Sequence, residues 1–176
     1  MPADIYRPDL WTGFFTMVGG GAAALTGLVF VAVSLNLENM TKDATHKHRS
    51  INTLAGLTAV FVTCGLVLMG GQNHQAVGIE LLVIASIGCV IFLYGFRQAF
   101  RFGAHPSTLR LGIGSFLYLA EVVGAVLLIS GSLFGLYVAA VAIVMNVAFM
   151  TSAAWLLVVG VYSGSMSEPA GEEQSP

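Results

Sequence analysis

The chain has 176 residues, of which 56% are hydrophobic and only 9% are charged. Because soluble domains carry about 25% charged residues, this composition excludes a water-soluble fold and indicates a protein whose solvent is a lipid bilayer. The formal net charge of −2 leaves no basic surface for nucleic acid, so membrane lipids are expected partners and nucleic acid is not.

Five apolar runs follow one another along the chain, and each reaches the roughly 20 residues that a membrane-spanning helix needs. The predicted helices cover about residues 11–37, 51–71, 77–97, 110–130 and 134–162. Between the last two, the only turn-like cluster is Ser130-Gly131-Ser132, which predicts a tight helical hairpin. The sequence therefore predicts an all-α, polytopic transmembrane helical bundle over residues 1–162, followed by a disordered cytoplasmic tail over residues 163–176.

The distribution of lysine and arginine predicts how the bundle is oriented. Six of the seven basic residues fall in the first and third loops, and cytoplasmic loops are the ones that collect such residues. The N-terminus is therefore predicted to lie outside and the C-terminus in the cytoplasm. Four of the basic residues are predicted to anchor the protein to lipid headgroups, namely Lys47, Arg49, Arg97 and Arg101.

The first predicted helix carries small residues at a spacing of four, namely Gly19, Ala23 and Gly27. In lipid, helices associate by close backbone approach rather than by the hydrophobic effect, and a stripe of small residues lets a second helix come near. Two interpretations remain open. The stripe packs within the monomer, or it forms the interface of a homo-oligomer or of a complex with another membrane protein.

A small polar group is predicted at the outer end of the third helix. Glu80 lies in the first turn of that helix, and His74 and Gln72 precede it in the second loop, so the three form a candidate outer vestibule for cations. The alternative is an interfacial glutamate in the first helical turn, where the helix dipole favours an anion. His46 and His48 do not face each other on a helix, so no metal site is predicted.

Glu121 is the most informative residue, because it interrupts the fourth run at its midpoint and should lie near the bilayer centre. A charge at that depth costs on the order of 3 kcal/mol, so the carboxyl is expected to be protonated, hydrated or bound to a cation. Counted from the predicted turn, Asn146 lies within about 5 Å of the same depth in the fifth helix. Tyr118 shares the face of Glu121 and is expected to donate its hydroxyl there.

Glu121, Asn146 and Tyr118 therefore form a candidate ion or proton site with two possible roles. In the first, Glu121 binds a proton or a cation in a conduction path. In the second, a protonated Glu121 holds helices together through Asn146, and such hydrogen bonds contribute only about 0.6 kcal/mol on average in a membrane.

No catalytic motif occurs in the sequence: H-E-x-x-H, G-x-S-x-G, a phosphate-binding loop and C-x-x-C are all missing. This argues against an enzyme and gives no reason to expect a cofactor, although an intramembrane enzyme stays a third possibility. The predicted function is an oligomeric ion or proton channel or permease with a carboxyl in mid-membrane. The alternative is a non-transporting accessory or regulatory protein that packs against a partner through its Gly/Ala helix faces.

Two segments carry a resemblance to known sequences. GAAALTGLVFVAVSLNL over residues 21–37 and GIELL over residues 78–82 resemble a family of small, uncharacterised bacterial multi-pass inner-membrane proteins. The resemblance covers the first half of the chain. It implies a location in the bacterial inner (plasma) membrane, and it implies no activity and no site residue.

Overall fold

The computed structural model describes residues 8–35, 44–101 and 108–166. Within these ranges the chain forms five α-helices, and none of the described residues lies in a strand. They are α1 (Pro8–Leu35), α2 (Ala44–Val67), α3 (His74–Arg101), α4 (Thr108–Ile129) and α5 (Phe134–Met166). Each contains a stretch long enough and apolar enough to cross a membrane, which confirms the predicted helical bundle. The protein is a multi-pass integral membrane protein.

The helix ends differ from the predicted ones where local backbone chemistry outweighs hydropathy. The second helix ends at Val67 rather than 71, because the chain turns through Gly71, whose φ of 81° suits glycine. The third begins at His74 rather than 77, because the Asn73 side-chain oxygen accepts the Ala76 N–H at 2.8 Å and caps it.

The predicted boundary between bundle and tail also changes. The fifth helix continues to Met166, so residues 163–166, predicted to be disordered, are helical. The rest of the predicted tail, residues 167–176, and residues 36–37 of the predicted first helix lie outside the described residues. The fourth helix begins at Thr108 and ends at Ile129, close to the predicted 110–130.

Four of the helices form a closed ring in which α2 packs against α3, α3 against α4, α4 against α5, and α5 against α2. Helix α1 lies outside the ring against α2 and, less extensively, α5. The start of α1 lies near the start of α5, because the rings of Trp11 and Tyr137 meet edge to face with their centroids 4.7 Å apart. Gly19 of α1 faces Cys64 near the end of α2, so these two helices run antiparallel.

The interior contains two hydrophobic clusters, one nearer each end of the bundle. The first includes Phe15, Cys64 and Leu128, and the second includes Leu57 and Met150. Val147 of α5 packs against both clusters. Its neighbour Asn146 therefore lies at the junction of the two, in the middle of the bundle.

The hairpin of α4 and α5 is the part of the ring with the closest backbone contact. At its turn the Ser132 N–H donates to the Leu127 carbonyl, and Gly131, at φ 83°, donates to Leu128, a Schellman motif. Past the turn, Gly135 lies directly on the α4 backbone. A Cβ added to it would lie 2.5 Å from the Gly124 oxygen. This contact fixes how residues of α4 and α5 face each other.

Candidate site in the middle of the bundle

Glu121 and Asn146 meet across the hairpin of α4 and α5. The Asn146 amide nitrogen donates a hydrogen bond to Glu121 Oε1 at 3.0 Å. Asn146 is only 2% exposed, and Glu121 is partly buried. The turn at Gly131 and the backbone contact at Gly135 set the register that brings this carboxyl and this amide to the same depth.

Tyr118, the third residue of the predicted group, lies three residues before Glu121 in α4, and its side chain is 4% exposed. The expected donation by the Tyr118 hydroxyl to Glu121 stays a prediction. Gly88 of α3 makes room for the tyrosine ring, since a Cβ there would lie 2.7 Å from Tyr118 Cε1.

One polar atom of this site lacks a partner in the part of the chain that the structure describes. The Asn146 side-chain oxygen is buried and accepts no hydrogen bond from any described residue. Leaving such an acceptor unsatisfied costs about 1–3 kcal/mol, which is large for a group that an apolar residue could replace. The site therefore combines a carboxyl that can carry a proton with a free acceptor on the amide that contacts it.

Tyr118 also reaches a cleft between α2 and α3. The cleft has a volume of about 390 Å³, and its walls are almost wholly apolar apart from Asn52, Thr58 and Tyr118. Neither the cleft nor the role of Gly88 could be predicted, because a void between two apolar helices leaves no signal in hydropathy.

The predicted outer vestibule is partly assembled. Gln72 Nε2 donates to Glu80 Oε1 at 2.8 Å, while the second carboxyl oxygen of Glu80 and the amide oxygen of Gln72 are buried without a hydrogen-bond partner. His74 is the first residue of α3, so Glu80 lies in the second turn rather than the first. This weakens the explanation of Glu80 by the helix dipole, which acts within the first turn.

The predicted stripe of small residues on α1 does not form one buried face. Gly19 is buried against Cys64, whereas Ala23 and Gly27 are exposed. The inward face of α1 is instead formed by Phe15, Gly19 and Ala22, at spacings of four and three.

The predicted headgroup anchors are described only in part. Arg97 and Arg101 are exposed near the end of α3, where their long side chains can extend towards water. The side chains of Lys47 and Arg49 lie outside the described residues, and so do those of His46 and His48. Among the side chains that the structure describes, no group of three or more His, Cys, Asp or Glu residues is placed to hold a metal ion.

Comparison of the chain with protein-family models, with curated proteins and with solved structures finds no match.

Proposed function

We propose that the protein is a proton channel or proton-coupled permease of the bacterial inner membrane, acting as an oligomer, in which Glu121 binds and releases the proton. The observation that carries the proposal is the hydrogen bond from Asn146 to Glu121 beside the unpartnered Asn146 oxygen. An ionisable residue held at this depth next to polar partners is typical of proton pathways.

The chemistry of the site favours a proton over a metal ion. Glu121, Asn146 and Tyr118 provide one carboxyl, one amide and one phenol, whereas Ca²⁺ takes 6–8 oxygen ligands and Mg²⁺ needs six. A proton needs only one acceptor and one route of exchange. The amide supports both states of the carboxyl, because its NH₂ donates to an ionised Glu121 and, after rotation, its oxygen accepts from a protonated one.

The expected result of replacing Glu121 with glutamine is a loss of proton flux of about tenfold or more. The glutamine side chain in Glu121→Gln keeps an oxygen that accepts the Asn146 hydrogen bond, but it cannot bind and release a proton. The measurement is proton flux into liposomes that contain the purified protein, driven by a potential of either sign.

The matched control is Asp9→Asn, which removes an exposed carboxyl at the start of α1, remote from the site, and should leave the flux unchanged. Proton flux that persists in Glu121→Gln would contradict the role of this residue. Absence of flux from folded wild-type protein at both polarities would contradict a proton channel.

A second candidate function, that of an accessory protein binding another membrane helix, is favoured by the exposed face of α1. Only 22% of the most apolar window of α1 is buried, against 33–44% in the other helices. Its exposed side includes Thr16, Gly20 and Ala24, at a spacing of four. This spacing is typical of helices that associate in lipid.

If this face binds a helix, Ala24→Leu should weaken association by about tenfold, because the leucine side chain would prevent close backbone contact. The measurement is energy transfer between labelled copies in liposomes, with and without membrane extract. Ala148→Leu, at an exposed alanine of α5, is the matched control. Equal association of both variants would contradict an interface on α1.

A further inference from the structure

The cleft between α2 and α3 has an open side and a closed floor. Its rim is formed by exposed side chains of both helices, including Thr58 and Ile87. Its floor is formed by the buried residues Gly56, Gly88 and Tyr118. All of these residues lie inside the membrane-spanning stretches of their helices or, for Tyr118, of α4. The cleft therefore opens sideways, toward the lipid.

The length of the cleft matches one leaflet of a bilayer. Along α2 it extends from Asn52 to Val62, which is about 15 Å at 1.5 Å per residue. The hydrocarbon core of a bilayer is about 30 Å thick, so one leaflet contributes about 15 Å. Asn52 lies near one end of the α2 span, which begins at Ser50, and Gly88 lies near the middle of the α3 span. The cleft therefore runs from one membrane surface to about the centre.

The lining of the cleft suits a hydrocarbon chain. Its walls are almost wholly apolar, and it opens towards the lipid along about 15 Å of α2.

Two of the three polar side chains of the cleft, those of Asn52 and Tyr118, lie at its ends, and the third, Thr58, lies on the exposed rim between them. Asn52 packs against Gly95 of α3 near the membrane surface, since a Cβ at Gly95 would fall on the Asn52 amide. At the central end, the Tyr118 ring lies against Gly88, next to the carboxyl site. A chain in the cleft would thus have its polar end beside Asn52 and its methyl end near Tyr118.

We infer that the cleft binds one acyl chain of a membrane phospholipid, with the ester end beside Asn52 and the terminal methyl against Tyr118. The inference does not rest on proton transport, because it follows from the shape, depth and apolar lining of the cleft. It adds a bound lipid whose chain ends at the Tyr118 ring, beside the candidate proton site.

The test uses wild-type protein in phosphatidylcholine vesicles that contain a small share of phosphatidylcholine with a photoreactive diazirine near the end of one acyl chain. After illumination, the labelled peptides are identified by mass spectrometry. The expected result is labelling of residues 52–62 and 84–92 at about threefold or more the level of other lipid-facing segments. Uniform labelling of the exposed helix faces would overturn the inference.

A variant that fills the cleft can be compared with a matched variant on an exposed helix face. Ala55→Phe places a ring in the cleft and should reduce the labelling of its walls by about threefold or more, whereas Ala148→Phe, on the exposed side of α5, should not. Thr58→Phe, at the exposed rim, serves the same purpose if Ala55→Phe does not fold. Wall labelling that is unchanged by a folded cleft-filling variant would overturn the inference.

Tyr118→Phe separates lipid binding from proton transport. It keeps the ring that forms the floor of the cleft and removes the hydroxyl that belongs to the candidate proton site. Labelling of the cleft walls should therefore stay at the wild-type level, whatever happens to proton flux. A loss of labelling in this variant would contradict an apolar site closed by the tyrosine ring.

Discussion

Replacement of Gly135 by alanine is expected to lower the free energy of unfolding by about 1–3 kcal/mol, the usual effect of overpacking a close contact. The added Cβ would lie 2.5 Å from both the Gly124 oxygen and the Leu128 nitrogen. Both are backbone atoms of a helix, so no side chain can move aside, and α4 and α5 must separate. The measurement is unfolding in detergent with increasing denaturant.

The control for this variant is Gly112→Ala, also in a helix but with nothing within 4 Å of the added Cβ. It should change stability by less than about 1 kcal/mol, and in the stabilising direction, because alanine favours a helix more than glycine does. If Gly135→Ala proved as stable as Gly112→Ala, the result would contradict a close backbone contact between α4 and α5 at Gly135.

The second effect is expected for Asn146→Leu, which should destabilise the bundle by about 1 kcal/mol. Leucine has as many side-chain heavy atoms as asparagine but cannot donate to Glu121, so the carboxyl loses its hydrogen bond inside the bundle. This loss is partly offset because the substitution also removes the unsatisfied Asn146 oxygen. Equilibrium unfolding of the purified variant provides the measurement.

The informative comparison is the double variant Glu121→Leu with Asn146→Leu. Since both partners of the hydrogen bond are replaced, neither is left buried without the other, and the double variant should be more stable than Asn146→Leu alone. Additive losses in the two single variants would mean that the hydrogen bond carries no coupling energy. Proton flux should nevertheless be lost in the double variant, because the carboxyl is gone.

The spans could be predicted from the sequence because a bilayer imposes a length and a hydropathy on every helix that crosses it. The proximity of Glu121 and Asn146 could be predicted as well. Both lie on helices joined by a short turn, so counting residues from Gly131 gives their depths. Hairpins are favourable for such reasoning because the turn leaves little freedom in register.

The inward face of α1 could not be predicted in the same way. In a soluble helix an apolar stripe marks the side that faces the core, but in lipid both sides are apolar. The pattern of small residues therefore suggested Gly19, Ala23 and Gly27 as one face. The structure instead buries Gly19 with Phe15 and Ala22, because the face is determined by the fit to Cys64 and its neighbours.

The packing of Tyr118 was equally hidden from sequence. Its position one turn before Glu121 suggested a contact within α4, but the buried ring packs against Gly88 and Phe92 of α3. A long side chain reaches groups on several elements, and spacing along one helix does not choose among them.

The short connection between α4 and α5 has a consequence for how the chain is made. Only four residues join the two helices, and the hydrogen bond between Glu121 and Asn146 closes over 25 residues of chain. A newly synthesised hairpin can therefore satisfy its own carboxyl before it meets α2 or α3. Helices α4 and α5 can thus enter the membrane already hydrogen-bonded to each other, so that Glu121 is not exposed to lipid without a partner.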